Sequence, residues 1–319
     1  MSPFLGLPRE LRDMIYMAVV TWERLRPTLD DTYGWPNTWN LQSGHRGEDG
    51  CVFAKKGAPS TCANMLAVNR QVNTELTQAV NRARRAGLLT AKLDCVARNG
   101  ETFYFTWLAV PIVSRTSPSK FIRARNRSAS HWAPKVPAFR RLLTTSCREP
   151  AMGDASTHIE QLRIDVRIFD NDLAKQTRLR SPPVQASWAI CAALKRLCEN
   201  TNDHELRSAQ PCPSNVIIGT LILNIIPPIV PQTLPTDLRE SAQLEAASLP
   251  QAVAREVVDV WNKLWAGDSF KARQYRLLLE KIMKVRICID GVLVRERELK
   301  LELERGQAER RRIAMRVGW

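Results

Sequence analysis

A mixed α+β fold is predicted for this chain of 319 residues: a helical head packed on a mixed sheet, with covering helices and long irregular inserts. Three observations predict it. Two amphipathic helical patterns occupy the first 88 residues. Alternating apolar runs suited to strands recur after residue 89 and are interleaved with 3.6-period stripes suited to helices. Proline-rich and basic stretches with neither period interrupt them. With 44% hydrophobic residues the chain can bury a substantial core, so a folded protein carrying irregular inserts is expected.

The first helix is read from Leu7-Pro8-Arg9-Glu10-Leu11-Arg12-Asp13-Met14-Ile15-Tyr16. Pro8 has a fixed φ and no N–H, which suits a first turn, and Glu10 faces the positive end of the helix dipole. Leu7, Leu11, Ile15 and Val19 recur at helical spacing, with Met14 and Ala18 widening the stripe. Two readings follow: the stripe caps the protein's own core, or Leu7 and Pro8 stay accessible to a partner. A second helix is predicted from an N-cap at Ser60 or Thr61 to a left-handed C-cap at Gly87, with Met65, Val68, Val72, Leu76 and Val80 as its apolar stripe. Arg70 and Glu75 fall off that stripe. They read as a solvated pair, or Arg70 reaches the last carbonyls of the first helix; a structural role for Arg70 is the preferred expectation.

The Leu-Pro-x-Glu-Leu-Arg-x-x-Ile-Tyr start and the Asn69-Arg70-Gln71-x-x-x-Glu75 helix together resemble the F-box-like head of a class of filamentous-fungal proteins. Phe105-Thr106-Trp107-Leu108, Asp165 to Phe169 and Arg286 to Gly291 are similar to the bodies attached to such heads. The resemblance implies a non-enzymatic substrate adaptor of a cullin-type ubiquitin ligase, docking on a Skp-family subunit through Leu7, Pro8, Leu11 and Ile15 and presenting an unknown protein substrate. One departure is plain. In ordinary F-box domains the comparable helix follows more closely, whereas here Thr21 to Pro59 intervene.

The chain therefore divides into a head over residues 1–88, with an insert at 21–59, and a mixed body over 89–319. In the body, Leu89, Ala91, Leu93 and Cys95 alternate with polar residues; Asn99-Gly100 signals a turn before Phe103, Phe105 and Trp107 on one face. Leu162, Ile164, Val166 and Ile168 form a strand whose other face, Arg163, Asp165 and Arg167, is wet or helix-covered. Ser181 and Pro182 open a helix cored by Val184, Trp188, Cys191, Leu194 and Cys198. Asn215 to Ile226, almost continuously apolar, reads as a strand buried on both faces and stopped by Pro227 and Pro228. A linker with at most one short helix is predicted over 231–250. Helices ending near Gly267 and Lys284 follow, then a strand from Val285, a turn at Asp290-Gly291, a short return strand from Val292, and a charged helical tail from Arg295.

Charge is unevenly spread within a net +15. Residues 61–150 carry 15 basic and 4 acidic residues, and no acid falls between Thr102 and Arg148. Residues 114–157 thus read as a basic disordered insert. Its alternative function is polyanion binding, as a nuclear or nucleic-acid-associated protein, through Arg123, Arg125, Arg127, Arg140 and Arg141, a salt-sensitive and sequence-independent attraction. Arg123 to Arg127 and Arg310 to Arg312 could also serve nuclear import. No helix-turn-helix, zinc finger or RNA-binding strand motif accompanies the charge.

The sequence offers no catalytic constellation, P-loop or dinucleotide fingerprint, so no enzyme and no cofactor are expected. His45 with Cys51 and Cys62 matches no zinc spacing. Asp165 with Asp170, and Asp290 with Glu296, read as solvent-facing strand ends. Cys95, Cys191, Cys198 and Cys288 sit in apolar patterns as buried thiols. No apolar run is long enough to span a bilayer and no signal core opens the chain, so a cytoplasmic or nuclear protein is expected.

Overall fold

The computed structural model describes residues 3–27, 48–54, 59, 63–98, 102–111, 115–116, 156–169, 186–199, 216–228, 236–267, 269–299 and 302. Helix α1 runs Arg9–Val20 and α2 Arg70–Arg85. Strands β1 (Cys51–Phe53), β2 (Ala91–Arg98), β3 (Thr102–Ala109), β4 (Arg115–Thr116) and β5 (Ser156–Phe169) precede α3 (Ala186–Glu199) and β6 (Val216–Ile226). Helices α4 (Thr236–Ala266), α5 (Phe270–Gln274) and α6 (Leu278–Lys281) lead to β7 (Ile282–Ile289) and β8 (Val292–Glu298). The strands form one mixed sheet in the order β1-β3-β2-β5-β6-β7-β8, with β4 paired to β5. This is the predicted α+β class.

The centre of the sheet, β2-β5-β6-β7, is parallel; β3 and β8 run antiparallel to their inner neighbours, and β1 parallel to β3. Hydrophobic register assembles the first face. Leu93, Ile164, Leu223 and Ile287 are successive cross-strand partners, and the same face receives α3 and α4 through Ile190, Leu194, Val257, Trp261 and Leu264. In α3, Ala186 to Leu194 are buried without interruption, so this helix is enclosed rather than amphipathic.

The alternation slips once, in step, across three strands. Ile159, Ile218 and Ile282 are buried, and the next buried residues are Leu162, Leu221 and Val285, three positions on instead of two. The ladder skips one position there in both strand pairs. Gly219 stands at the skip, where an added Cβ would lie 2.7 Å from the Glu160 carbonyl oxygen. A side chain of any size is excluded by backbone, which no rotamer change relieves.

Several expectations are corrected. Asn69, not Ser60 or Thr61, caps α2, its Oδ1 accepting from the Val72 N–H at 2.8 Å. Met65 lies in a 3-10 turn over Ala63–Ala67 that precedes the helix, and Val68, just after that turn, is exposed. Residues 236–250, read as mostly linker, belong to the 31-residue α4, which runs through Pro250. Leu238 to Ala247 are largely good helix formers, and their propensity outweighs the prolines that suggested a break. The helix expected to reach Lys284 ends earlier, because Ile282 pairs with Ile218 and opens β7. The charged tail begins as strand, not helix. Arg295–Glu298 continue β8, where Lys284 bridges Glu296 and Glu298 from the neighbouring strand.

Other readings stand. The β2–β3 register joins Arg98 to Thr102, Gly87 ends α2 at φ +68°, and Asp290 and Gly291 both have positive φ, as a type I′ turn requires. Cys51, Cys95, Cys191, Cys198 and Cys288 are buried outside any disulfide. No described helix is long and apolar enough to cross a membrane. Of the basic insert, only the residues at its ends are described: Arg115 and Thr116 pair with Thr157 and Ser156.

Replacing Gly219 with valine is expected to destabilise the fold by about 1–3 kcal/mol, the usual cost of overpacking. Thermal unfolding followed by circular dichroism checks it, with a drop of several degrees expected.

Candidate docking face on the helical head

Helix α1 carries two apolar rows at the same spacing. Leu11, Ile15 and Met14 form one; Tyr16, Met17 and Val20 form the other. Periodicity cannot choose between them. The structure turns Tyr16 inward, fully buried, with Met17 and Val20 packed against the same small core of Val72, Leu76, Ala79, Val80, Ala83 and Leu89. Phe4 meets the Tyr16 ring edge-on at 5.5 Å.

The choice is held by charge. Glu75, read as solvated, is buried and accepts from five donors: Arg12 Nε at 3.0 Å and Nη2 at 2.8 Å, the Tyr16 hydroxyl at 3.1 Å, Gln71 Nε2 at 3.0 Å and Arg9 Nη1 at 2.6 Å. That saturates a carboxylate's acceptor sites. The bidentate Arg12 guanidinium, then the other donors, hold its pKa down to about 2 in spite of burial. Burial and the bond to Glu75 push the Tyr16 hydroxyl up. Arg70, expected to be the structural residue, is exposed at the first position of α2. The signal available in the sequence was the Arg12/Tyr16 spacing of four, one helical turn, opposite a lone acid in a basic helix.

Arg12 also reaches backward. Its Nη1 donates to the carbonyls of Leu5 at 3.2 Å and Leu7 at 2.5 Å, so one side chain fixes both the α1–α2 contact and the path of the chain into Pro8. With that path set, the predicted docking residues take their places. Pro8 is exposed, Leu7 half-buried, and Leu11 and Ile15 are 45% and 38% exposed, with Met14, not among the predicted residues, at 67%. The structure brings these five together as a ridge on the side of α1 away from α2. The first expectation, that the whole stripe caps the core, is thereby corrected for Leu11 and Ile15.

The first residues of the 21–59 insert tie the head to the sheet. Residues Glu23 to Pro27 lie on the second face: the Arg24 N–H donates to the Leu108 carbonyl at 2.7 Å, Lys92 pairs with Glu23, and Arg26 meets Asp165 at 2.5 Å. Asp165, read as solvent-facing, is buried in a row of cross-strand partners, Thr106, Asp94, Asp165, Asn224 and Cys288. Arg167 binds Asp94 through two bonds and the Pro27 carbonyl at 2.8 Å; Arg163 and Asn224 Nδ2 bind Asp165 at 2.7 and 2.8 Å. Asn224 Oδ1 in turn accepts from the Gly291 N–H at 2.7 Å. Burial pushes the Asp94 carboxyl above its ordinary range, and Arg167 only partly offsets that. Asp290 and Glu296 do not form an acid pair; Glu296 is engaged by Lys284 and Arg286.

What this arrangement offers is an apolar ridge on a rigid support. No group of three metal-ligating side chains occurs among the described residues. His45, His131, His204, Cys62, Asp170 and the polyanion candidates Arg123, Arg125, Arg127, Arg140 and Arg141 lie outside the described residues. No protein-family model, characterised protein or solved structure matches the chain.

Two outcomes are expected. Arg12→Ala removes the main partner of the Glu75 carboxylate and is expected to lower the denaturant midpoint clearly, whereas Leu11→Ser is expected to leave it nearly unchanged. Because the folded pKa of Glu75 lies below its unfolded value, its stabilisation is present above the ordinary carboxylate range and is lost as pH falls toward about 2. Protection factors of the α1 amides, taken relative to the intrinsic exchange rate at each pH, are therefore expected to fall over that interval in the wild type, and to lose this acid dependence in Glu75→Gln.

Proposed function

We propose that the chain is a non-enzymatic interaction protein, an F-box-like substrate adaptor whose head docks on a Skp-family subunit of a cullin-type ubiquitin ligase, in the cytoplasm or nucleus. The observation that carries the reading is the exposed ridge of Pro8, Leu11, Met14 and Ile15, with Leu7 at its start, on the side of α1 that its own core does not use. Contiguous exposed apolar side chains are a feature of protein-binding surfaces. An amphipathic helix offering anchors one turn apart is a common docking element.

Two further features support it. The Leu-Pro approach to α1, the part of the motif shared with F-box heads, is held in place by Arg12, so the partner meets a preformed surface and ordering costs are small. The contacts of Glu23 to Pro27 with the second sheet face tie the head to the body, which suits a protein that must hold a bound substrate at a set distance from a ligase. The body is then the substrate-presenting part.

Leu11→Asp/Ile15→Asp is expected to fold as the wild type and to lose association with a purified Skp-family subunit by at least tenfold in isothermal titration calorimetry. Absence of association by the wild-type chain would sink the proposal, and so would undiminished binding by the double variant.

A further inference from the structure

The exposed row of α1 does not stop at Ile15. Exposure recurs along this helix at Leu11, Met14, Ile15 and Ala18, the spacing of one helical face, while Arg12 and Tyr16 between them are buried. Thr21 keeps the chain on that path, its N–H still donating to the Met17 carbonyl at 3.0 Å. The next position on the row is Trp22, four residues past Ala18 and 56% exposed. Leu25 follows at 89%, the freest large apolar residue among those described. Trp22 lies about 10 Å beyond Ile15 along the helix direction, two turns on.

These two side chains stand on a fastened backbone. Glu23 pairs with Lys92, the Arg24 N–H donates to the Leu108 carbonyl at 2.7 Å, Arg26 meets Asp165 at 2.5 Å, and the Pro27 carbonyl accepts from Arg167 at 2.8 Å. Contacts with the sheet thus take positions 23, 24, 26 and 27 and leave 22 and 25 to solvent. Tryptophan is ordinarily well buried, and a lone exposed apolar residue needs no explanation. Five along one stretch of held backbone, Leu11, Met14, Ile15, Trp22 and Leu25, are a different matter.

Area argues for a single occupant across both parts. Leu11, Met14 and Ile15, each with about half its surface free, fall well short of the roughly 800 Å² that each partner gives to a specific complex. Trp22 and Leu25 are the next large apolar side chains along the same course, and both are freer than Leu11 and Ile15. Tryptophan is also over-represented among the few residues that carry most of an interface's binding energy, since it offers a large rigid surface at small conformational cost. Held by the sheet, it meets a partner already in position.

We propose that the docking face of the head continues past α1 onto this fastened segment, with Trp22 as its principal anchor and Leu25 as a second contact, for the same Skp-family subunit that meets Leu11 and Ile15. The partner's identity rests on the adaptor reading; Trp22 and Leu25 lie outside the Leu-Pro motif that suggested it. The body, through Asp165 and Arg167, sets where the anchor stands.

The test is isothermal titration calorimetry of the full chain with the purified subunit, together with hydroxyl-radical footprinting read by mass spectrometry. Trp22→Ser/Leu25→Ser is expected to weaken association at least tenfold with an unchanged melting temperature. Oxidation of Trp22 is expected to fall at least threefold in the wild-type complex. Wild-type affinity in the double variant, or undiminished oxidation of Trp22 in the complex, would overturn the proposal. A lowered melting temperature in the double variant would do the same, since it marks the two side chains as structural. If Leu11→Asp/Ile15→Asp still abolishes association, each of those results leaves the adaptor reading standing, whereas absence of association by the wild-type chain sinks both. A concentration-dependent dimer in sedimentation velocity, dissociated by Trp22→Ser/Leu25→Ser, would overturn the choice of partner.

Discussion

Arg12 is committed to the interior of a helix pair, and much of the head follows from that. A guanidinium so placed must find a carboxylate and fill its remaining donors. Glu75 supplies the first, and the Leu5 and Leu7 carbonyls the second. Once these bonds are made, the rotation of α1 about its axis is set, Tyr16 becomes the buried aromatic, and Leu11, Met14 and Ile15 are turned to the far side. Exposure of that ridge is thus not a packing failure. It is the consequence of giving the inward face to a charge pair that has no use for leucine.

A second set of buried charges does for the junction with the sheet what Arg12 does for the helices. Asp94 and Asp165 are neighbours across the parallel pair β2–β5, which in isolation would be repulsive. Arg167 and Arg163 answer them from β5 itself, and Arg26 from the segment after α1. Asn224 extends the row to the β7–β8 turn, whose two positive-φ residues it helps to hold. The sheet's helix-covered face is assembled by apolar register; its other face is assembled by matched charges, and these need the chain that leaves the head. Head and sheet are parts of one folded structure for this reason.

Two exposed apolar stretches, on α1 and at the start of β8, sit on different kinds of support. The ridge on α1 is apolar because a helix with two apolar rows can bury only one against α2. Strand β8 ends the strand order among the described residues, with Glu296 and Glu298 bridged by Lys284. Both are rigidly held, by Glu75 on one side and by the Lys284, Glu296 and Glu298 bridges on the other.

By itself the sequence determined the class, most of the strands, the Gly87 and Asp290-Gly291 turns and the buried thiols, since these depend on period, turn stereochemistry and hydrophobicity, which are local properties. It misplaced the start of α2 because the Asn69 cap competed with Ser60 and Thr61, and it broke α4 at Pro250, which the helix accommodates. The direction in which α1 faces, the burial of Glu75 and Asp165, and the slip at Gly219 were decided only by the tertiary structure. Leu11 and Tyr16 recur on equally good helical rows, and an acid on a solvated face reads the same as one met by Arg12, 63 positions away in the chain. Which row is buried depends on what lies across the interface, and local pattern carries no record of that partner.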